Sequence, residues 1–213
     1  MATPANLTPD EAFAKLMAGN HRFVAETPEH PNQDAARRAD LAPGQAPFAV
    51  LFGCSDSRLA AEIIFDQGLG DLFVVRTAGH VIGPEVLGSI EYGVAVLHCP
   101  LVVVLGHDSC GAVAATRTAV AEGTSGEGYV RDVIEKVTPS VLAAIAAGRT
   151  DDRDFVAEQI RNTVHLLLDR SRILSDAVAN GDTAVAGLAY RLVDGTAELI
   201  ILNGVNHTAG GSS

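Results

Sequence analysis

Leu101-Val102-Val103-Val104-Leu105-Gly106-His107-Asp108-Ser109-Cys110-Gly111 decides how the chain folds. Five aliphatic residues in a row, the middle three β-branched, make the strongest strand signal in the sequence, and the absence of alternation marks the strand as buried on both faces. A glycine halts the run, polar residues follow, and Ala112 to Ala121 has the character of a helix. The same design occurs upstream. Phe48 to Phe52 is apolar, Gly53 stops it, Cys54-Ser55-Asp56-Ser57-Arg58 follows, and Leu59 to Phe65 reads as helical.

Between the two lie a short buried strand, Leu72 to Val75, and a helical stretch, Glu85 to His98. Strand and helix signals that alternate in this way predict a parallel sheet covered by helices on both faces. Beyond it, Asp154 to Ala179 reads as a long amphipathic helical region. Ala184–Leu192 and Ala197–Leu202 are joined through Val193-Asp194-Gly195-Thr196, whose Asp-Gly pair signals a hairpin. The fold class expected is α/β: a single domain with a central, mainly parallel four-stranded sheet plus an antiparallel edge strand, helices on both faces and an N-terminal helical arm.

That arm starts at Thr8-Pro9-Asp10-Glu11, where Thr8 reads as an N-cap, Pro9 as the first helical residue and Glu11 as the end of a capping box. Ala12, Leu16 and Met17 give the helix an apolar face, and Gly19-Asn20 is expected to end it. Thr27 to Pro47 holds four prolines and reads as a long irregular arm. The divisions expected are 1–47 for the helix and a dimerisation arm, 48–204 for the core and 205–213 for a disordered tail.

With 213 residues, 47% of them hydrophobic, the chain can bury one sizeable core. Its net charge of −11 includes no basic stripe, which argues against a nucleic-acid or anionic-membrane partner. The apolar stretches are strand-length and broken by Gly, His, Asp or Pro, so no membrane span is expected. No basic segment followed by an apolar run opens the chain, so the expected location is the cytoplasm. Three cysteines, Cys54, Cys99 and Cys110, make a poor disulfide framework and point to metal or thiol chemistry.

In open α/β sheets, ligands bind outside the carboxyl ends of the strands, so the two polar segments after Gly53 and Gly106 are expected to face one crevice. Cys54, His107 and Cys110 then form a set of two thiolates and one imidazole that suits Zn2+ and leaves a fourth tetrahedral position open. Cys110 sits near a helix N-terminus, which favours its thiolate form. Cys99 lies on the far side of the Leu101–Leu105 strand, roughly 15 Å away, too far to close the site, so a catalytic centre is the better reading. The alternative is that Cys54 and Cys110 are core cysteines, although each follows a strand-ending glycine among polar neighbours.

Cys54-Ser55-Asp56-Ser57-Arg58 together with Gly106-His107-Asp108-Ser109-Cys110-Gly111 resembles the signature of β-class carbonic anhydrases. Lys15-Leu16-Met17-Ala18-Gly19-Asn20-His21-Arg22-Phe23, Phe73-Val74-Val75-Arg76-Thr77-Ala78-Gly79-His80 and Ile90-Glu91-Tyr92 extend the likeness from about residue 10 to about residue 204, with actinobacterial members closest. The resemblance implies reversible hydration of carbon dioxide to bicarbonate and a proton by zinc-bound hydroxide, with Cys54, His107 and Cys110 as zinc ligands and Asp56 and Arg58 as the catalytic carboxylate–guanidinium pair. It also implies that Gln45, Phe73, Tyr92 and Gly111 contact substrate, the first three from the other subunit of an obligate homodimer or of a tetramer built from it.

In some members the counterpart of Asp56 leaves its arginine at lower pH and becomes a fourth zinc ligand. Leu51 stands where those regulated members often carry a tryptophan, although Arg76 matches another part of their bicarbonate site, so the open form is expected here. Relatives of this fold hydrolyse CS2 or COS, which is the alternative activity. A non-catalytic zinc or thiol sensor is a further alternative, but it would need none of Asp56, Arg58 and Gln45. Elsewhere, His80 reads as a polar loop residue, His98 and His165 as surface or packed helix residues, Cys99 as a small apolar filler and Asp108 as a residue that orients its loop. Gly68, Gly70 and Gly79 form no dinucleotide fingerprint.

Overall fold

The computed structural model describes residues 7–204, so the tail expected over 205–213 lies outside the described residues. Five strands form one sheet: β1 (Ala49–Cys54), β2 (Leu72–Thr77), β3 (Leu101–His107), β4 (Ala184–Tyr190) and β5 (Ala197–Asn203), in the order β2-β1-β3-β4-β5. The first four are mutually parallel and β5 runs antiparallel to β4. Every residue of β1 and β3 is buried. Side chains alternate between the faces of a strand, so uniform burial requires cover on both. The helices α1 (Pro9–Val24), α2 (Ala35–Leu41), α3 (Ala61–Ile64), α4 (Pro84–Ala95), α5 (Gly111–Glu122), α6 (Val130–Ala146), α7 (Asp152–Arg170) and α8 (Arg172–Ala179) supply it. None among the described residues is long and apolar enough to cross a membrane.

The capping box at the start of α1 is formed as the sequence predicts, with Glu11 N–H donating to Thr8 Oγ1 and Thr8 N–H to Glu11 Oε2. Gly19-Asn20 does not end the helix, which continues to Val24. The glycine is there for close approach: a Cβ on Gly19 would lie 1.8 Å from the carbonyl oxygen of Phe65, just beyond α3. Asn20, 1% exposed, donates to the carbonyls of Ile64 and Gly195 and accepts from Ala197 N–H, so it ties α1 to the β4–β5 turn. The Asp-Gly turn itself forms as expected, with Gly195 at φ +76°.

The arm is less irregular than its prolines suggest. Asp34 caps α2 by accepting from Arg37 N–H, and the four prolines flank that helix. Buried Asp66 receives the N–H groups of Glu29 and His30 and the Arg22 guanidinium, which fastens the segment to the core. The long helical region after Asp151 is two helices, because Ser171 turns out of α7 and caps α8 through Leu174 N–H. Helix α4 stops at Ala95, so His98 lies in an exposed turn with φ +54°, while His165 is exposed on α7. Helix α6, with Pro139 inside it, has no counterpart among the sequence-based expectations.

Candidate metal centre

The neighbouring parallel strands β1 and β3 end at Cys54 and His107, and Cys110 is the N-cap residue of α5. This brings both polar loops to the carboxyl edge of the sheet, and the ligand atoms of Cys54, His107 and Cys110 all lie within 4.8 Å of one another. All three residues are buried. His107 Nδ1 is 2.8 Å from the carbonyl oxygen of Asp108. A carbonyl only accepts, so Nδ1 carries the proton and Nε2 presents its lone pair. That Nε2 is buried and has no hydrogen-bond partner among the described residues. An unpartnered imidazole lone pair beside two sulfurs is a donor set that fits zinc.

The electrostatics point the same way. The Cys54 thiol is held far below its ordinary value, chiefly by a hydrogen bond from Cys110; burial opposes this, and His107 and the N–H groups of Asp56 and Gly79 assist. Cys110 is pushed up by that same bond and by burial, against the N–H groups of Val113 and Ala112 at the start of α5. Burial disfavours a charge on His107, but the neighbouring Cys54 and Asp56 outweigh it and raise the imidazole. A divalent cation displaces protons shared in this way when it binds.

Asp56 lies over the cluster, with Oδ2 3.8 Å from His107 Nε2. Arg58 grips it with two parallel bonds, Nε to Oδ1 at 2.8 Å and Nη2 to Oδ2 at 2.7 Å, and its backbone N–H adds a third at 3.0 Å. These bonds hold the carboxyl well below the usual carboxylate range, with burial as the opposing effect. Asp56 is therefore paired with its arginine in this structure. Arg76, matched by the resemblance to a bicarbonate site, donates to the carbonyls of Cys54 and Asp56 at 2.9 and 2.6 Å and braces the loop. Asp108 orients its loop as expected: its N–H donates to Tyr190 O and its Oδ1 accepts from Leu192 N–H.

Other residues lie away from the cluster. Cys54 pairs with Thr77 and Val50 with Phe73, so this chain's own Phe73 sits about 13 Å back along β2 from the cysteine. Phe73 packs instead on Tyr92, with ring centroids 6.1 Å apart, and Tyr92 is 45% exposed next to the open edge of the sheet. Gln45 is exposed in the loop before β1. Gly111 opens α5 beside Cys110, and a Cβ there would meet nothing within 4 Å. Cys99 is a buried filler, its thiol pushed up to about 12 by burial and its Sγ directed at Pro47 O.

His80 is not a polar loop residue. It is fully buried at φ +42°, edge-on to Phe52, and neither ring nitrogen has a partner among the described residues. Burial lowers it to about 4, against the attraction of Cys54, so it is neutral near pH 7. Sequence reasoning also missed the N–H of Gly79, which donates to Cys54 Sγ at 3.3 Å. The available signal was a glycine in the turn directly after a strand that borders the cysteine.

The family model of the carbonic anhydrases matches residues 49–197, and the chain belongs to that family, in its β class. It is 56% identical over 194 residues to carbonic anhydrase 2 of Mycobacterium tuberculosis, covering 91% of this chain and 94% of that protein. With the carbonic anhydrase of Mycolicibacterium smegmatis the identity is 55% over 194 residues and the coverage the same, 91% and 94%. Among solved structures, the β-carbonic anhydrase CafA of Aspergillus fumigatus superposes with a TM-score of 0.67 at 28% identity, covering 88% of this chain and 89% of that one.

Proposed function

We propose that the protein is a zinc-dependent carbonic anhydrase that interconverts carbon dioxide and water with bicarbonate and a proton. The observation that carries this reading is the buried Cys54–His107–Cys110 cluster with the ionised Asp56 carboxylate directly beside it. Cys54, His107 and Cys110 would hold the metal. Bound zinc would supply Lewis acidity and lower the pKa of a bound water, less strongly with two thiolate ligands than with three neutral ones.

The protein's own groups do the rest. Arg58 keeps Asp56 ionised and fixed in direction, so Asp56 accepts the nucleophile's proton in a hydrogen bond and turns a lone pair toward carbon dioxide. Gln45 of the partner subunit donates to the substrate oxygen on which charge develops. A homodimer is supported by the distance between this chain's cluster and its own Phe73, and by the exposed Tyr92 beside the unpaired edge of β2. A cytoplasmic location accords with three free thiols.

Stopped-flow measurement of carbon dioxide hydration, run beside sulfide release from COS and CS2 over a range of protein concentrations, tests the reading. Hydration that greatly exceeds sulfide release, in a species that sediments as a dimer or larger, is expected. Sulfide release without hydration would replace the proposed activity, and a fully active monomer would refute the shared site.

A further inference from the structure

A buried glutamine far from the metal cluster in sequence is connected to it through one peptide. Gly79 lies in the turn after β2 at φ 62°, ψ 19°, a left-handed conformation that glycine adopts without strain. Its N–H donates to Cys54 Sγ at 3.3 Å, and its carbonyl accepts from Gln159 Nε2 on α7 at 3.2 Å. Gln159 is 2% exposed. Because a carbonyl only accepts, the amide must turn its NH2 toward Gly79 and its oxygen toward Ser140, whose Oγ donates to Oε1 at 2.7 Å. Ser140 in turn accepts from Asn162 Nδ2 at 2.9 Å, so the network between α6 and α7 has its donors and acceptors matched.

The other close neighbours of Gly79 are apolar: an added Cβ would meet Ala112 at 2.7 Å, with Val137 and Val133 behind. Burying a glutamine costs free energy unless its amide is used, and here Nε2 also reaches Thr163 Oγ1 at 3.4 Å, so both polar atoms of the side chain are engaged. On the other side of the turn, Thr77 Oγ1 donates to Val81 O. The turn is thus stapled at its base by Thr77 and pinned at its apex by Gln159, which leaves the Gly79 N–H one direction, toward the sulfur.

We infer that Gln159 is a positioning residue for the metal centre: by holding Gly79 it aims an N–H at Cys54 and so sets the donor strength of that thiolate. The inference rests on the metal-centre reading and assigns a role to a residue outside both signature motifs. An N–H bond withdraws charge from a thiolate. Its loss leaves the sulfur more electron-rich and less fixed in direction.

The test uses the full-length protein loaded with Zn2+ or Co2+. Gln159→Met, apolar and unbranched, is expected to weaken zinc in chelator competition by roughly 10–100-fold, the usual cost of losing an outer hydrogen bond to a ligand. In the Co2+ form, the sulfur-to-metal charge-transfer band should move to lower energy. Gln159→Leu, of similar bulk but with no donor for Gly79, should shift both readouts the same way. Ser140→Ala breaks the far end of the network and should lower Tm while leaving the band in place. Folded Gln159 variants with unchanged zinc affinity and an unmoved band would reduce Gln159 to a packing role, even if Tm fell. A wild-type protein without any sulfur-to-cobalt band would instead refute the metal centre itself, and the inference with it.

Discussion

Cys110→Ala is expected to purify without stoichiometric zinc and to lose carbon dioxide hydration by more than the roughly 10–100-fold that removal of an outer partner costs. Its sulfur is one of only three donors in the cluster, so its loss leaves two protein ligands, too few for a site that must keep a position open. Cys99→Ala supplies the contrast. Cys99 is equally buried, but its thiol sits at the start of β3 and points at the Pro47 carbonyl. Losing it should cost about 1 kcal/mol of stability and leave zinc content and turnover intact. Metal analysis and stopped-flow rates on both variants check the pair, and a Cys110→Ala protein that keeps its zinc would contradict the ligand assignment.

Asp56→Asn should keep its zinc and still lose about 10²–10³ in kcat, the range for loss of one preorganised hydrogen-bonding group at the reacting atoms. Asparagine carries no charge for Arg58 to fix, and its amide can point a donor where a carboxylate offers only lone pairs. The pH dependence separates this role from a switch. Arg58 depresses the Asp56 pKa in the folded protein, so the pair's contribution is present above the ordinary carboxylate value near 4 and is lost only as pH falls through the lower folded value. Between pH 5 and 8 the carboxylate therefore stays charged and paired. The substitution should lower the plateau of the pH–rate profile without moving its acid limb. Loss of the acid limb in Asp56→Asn would mean that Asp56 leaves Arg58 and takes the metal's open position.

Most of the sheet and the metal cluster were legible because they depend on local chemistry. An unbroken run such as Val102-Val103-Val104 needs no distant partner to be read as a buried strand, and Thr8-Pro9-Asp10-Glu11 encodes its own helix start. Two failures were local, the Asp34 cap of α2 and the Ser171 cap of α8, and the others involve distant contacts. Gly19 has the composition of a helix stop, but the Phe65 carbonyl, far along the chain, makes it a contact point. Helix α6, for which no sequence-based expectation stood, runs through Pro139 while packed on α5 and α7. His80 follows a strand-ending turn and reads as exposed; only the assembled core shows it buried. Gln159 and Gly79 are separated by 80 positions, so no spacing rule could join them. Phe73 and Tyr92 were placed in the site only by family resemblance, and their position beside an unpaired sheet edge in one chain accords with a second chain being needed.

The central claim is that three residues from two adjacent strand ends hold one zinc ion. A crystal structure near pH 8, with diffraction recorded on either side of the zinc absorption edge, tests it most directly. The account predicts a single anomalous peak per chain bounded by Cys54 Sγ, His107 Nε2 and Cys110 Sγ, with Asp56 still paired to Arg58. No peak there in protein shown to contain zinc, or a peak held by other residues, would contradict it.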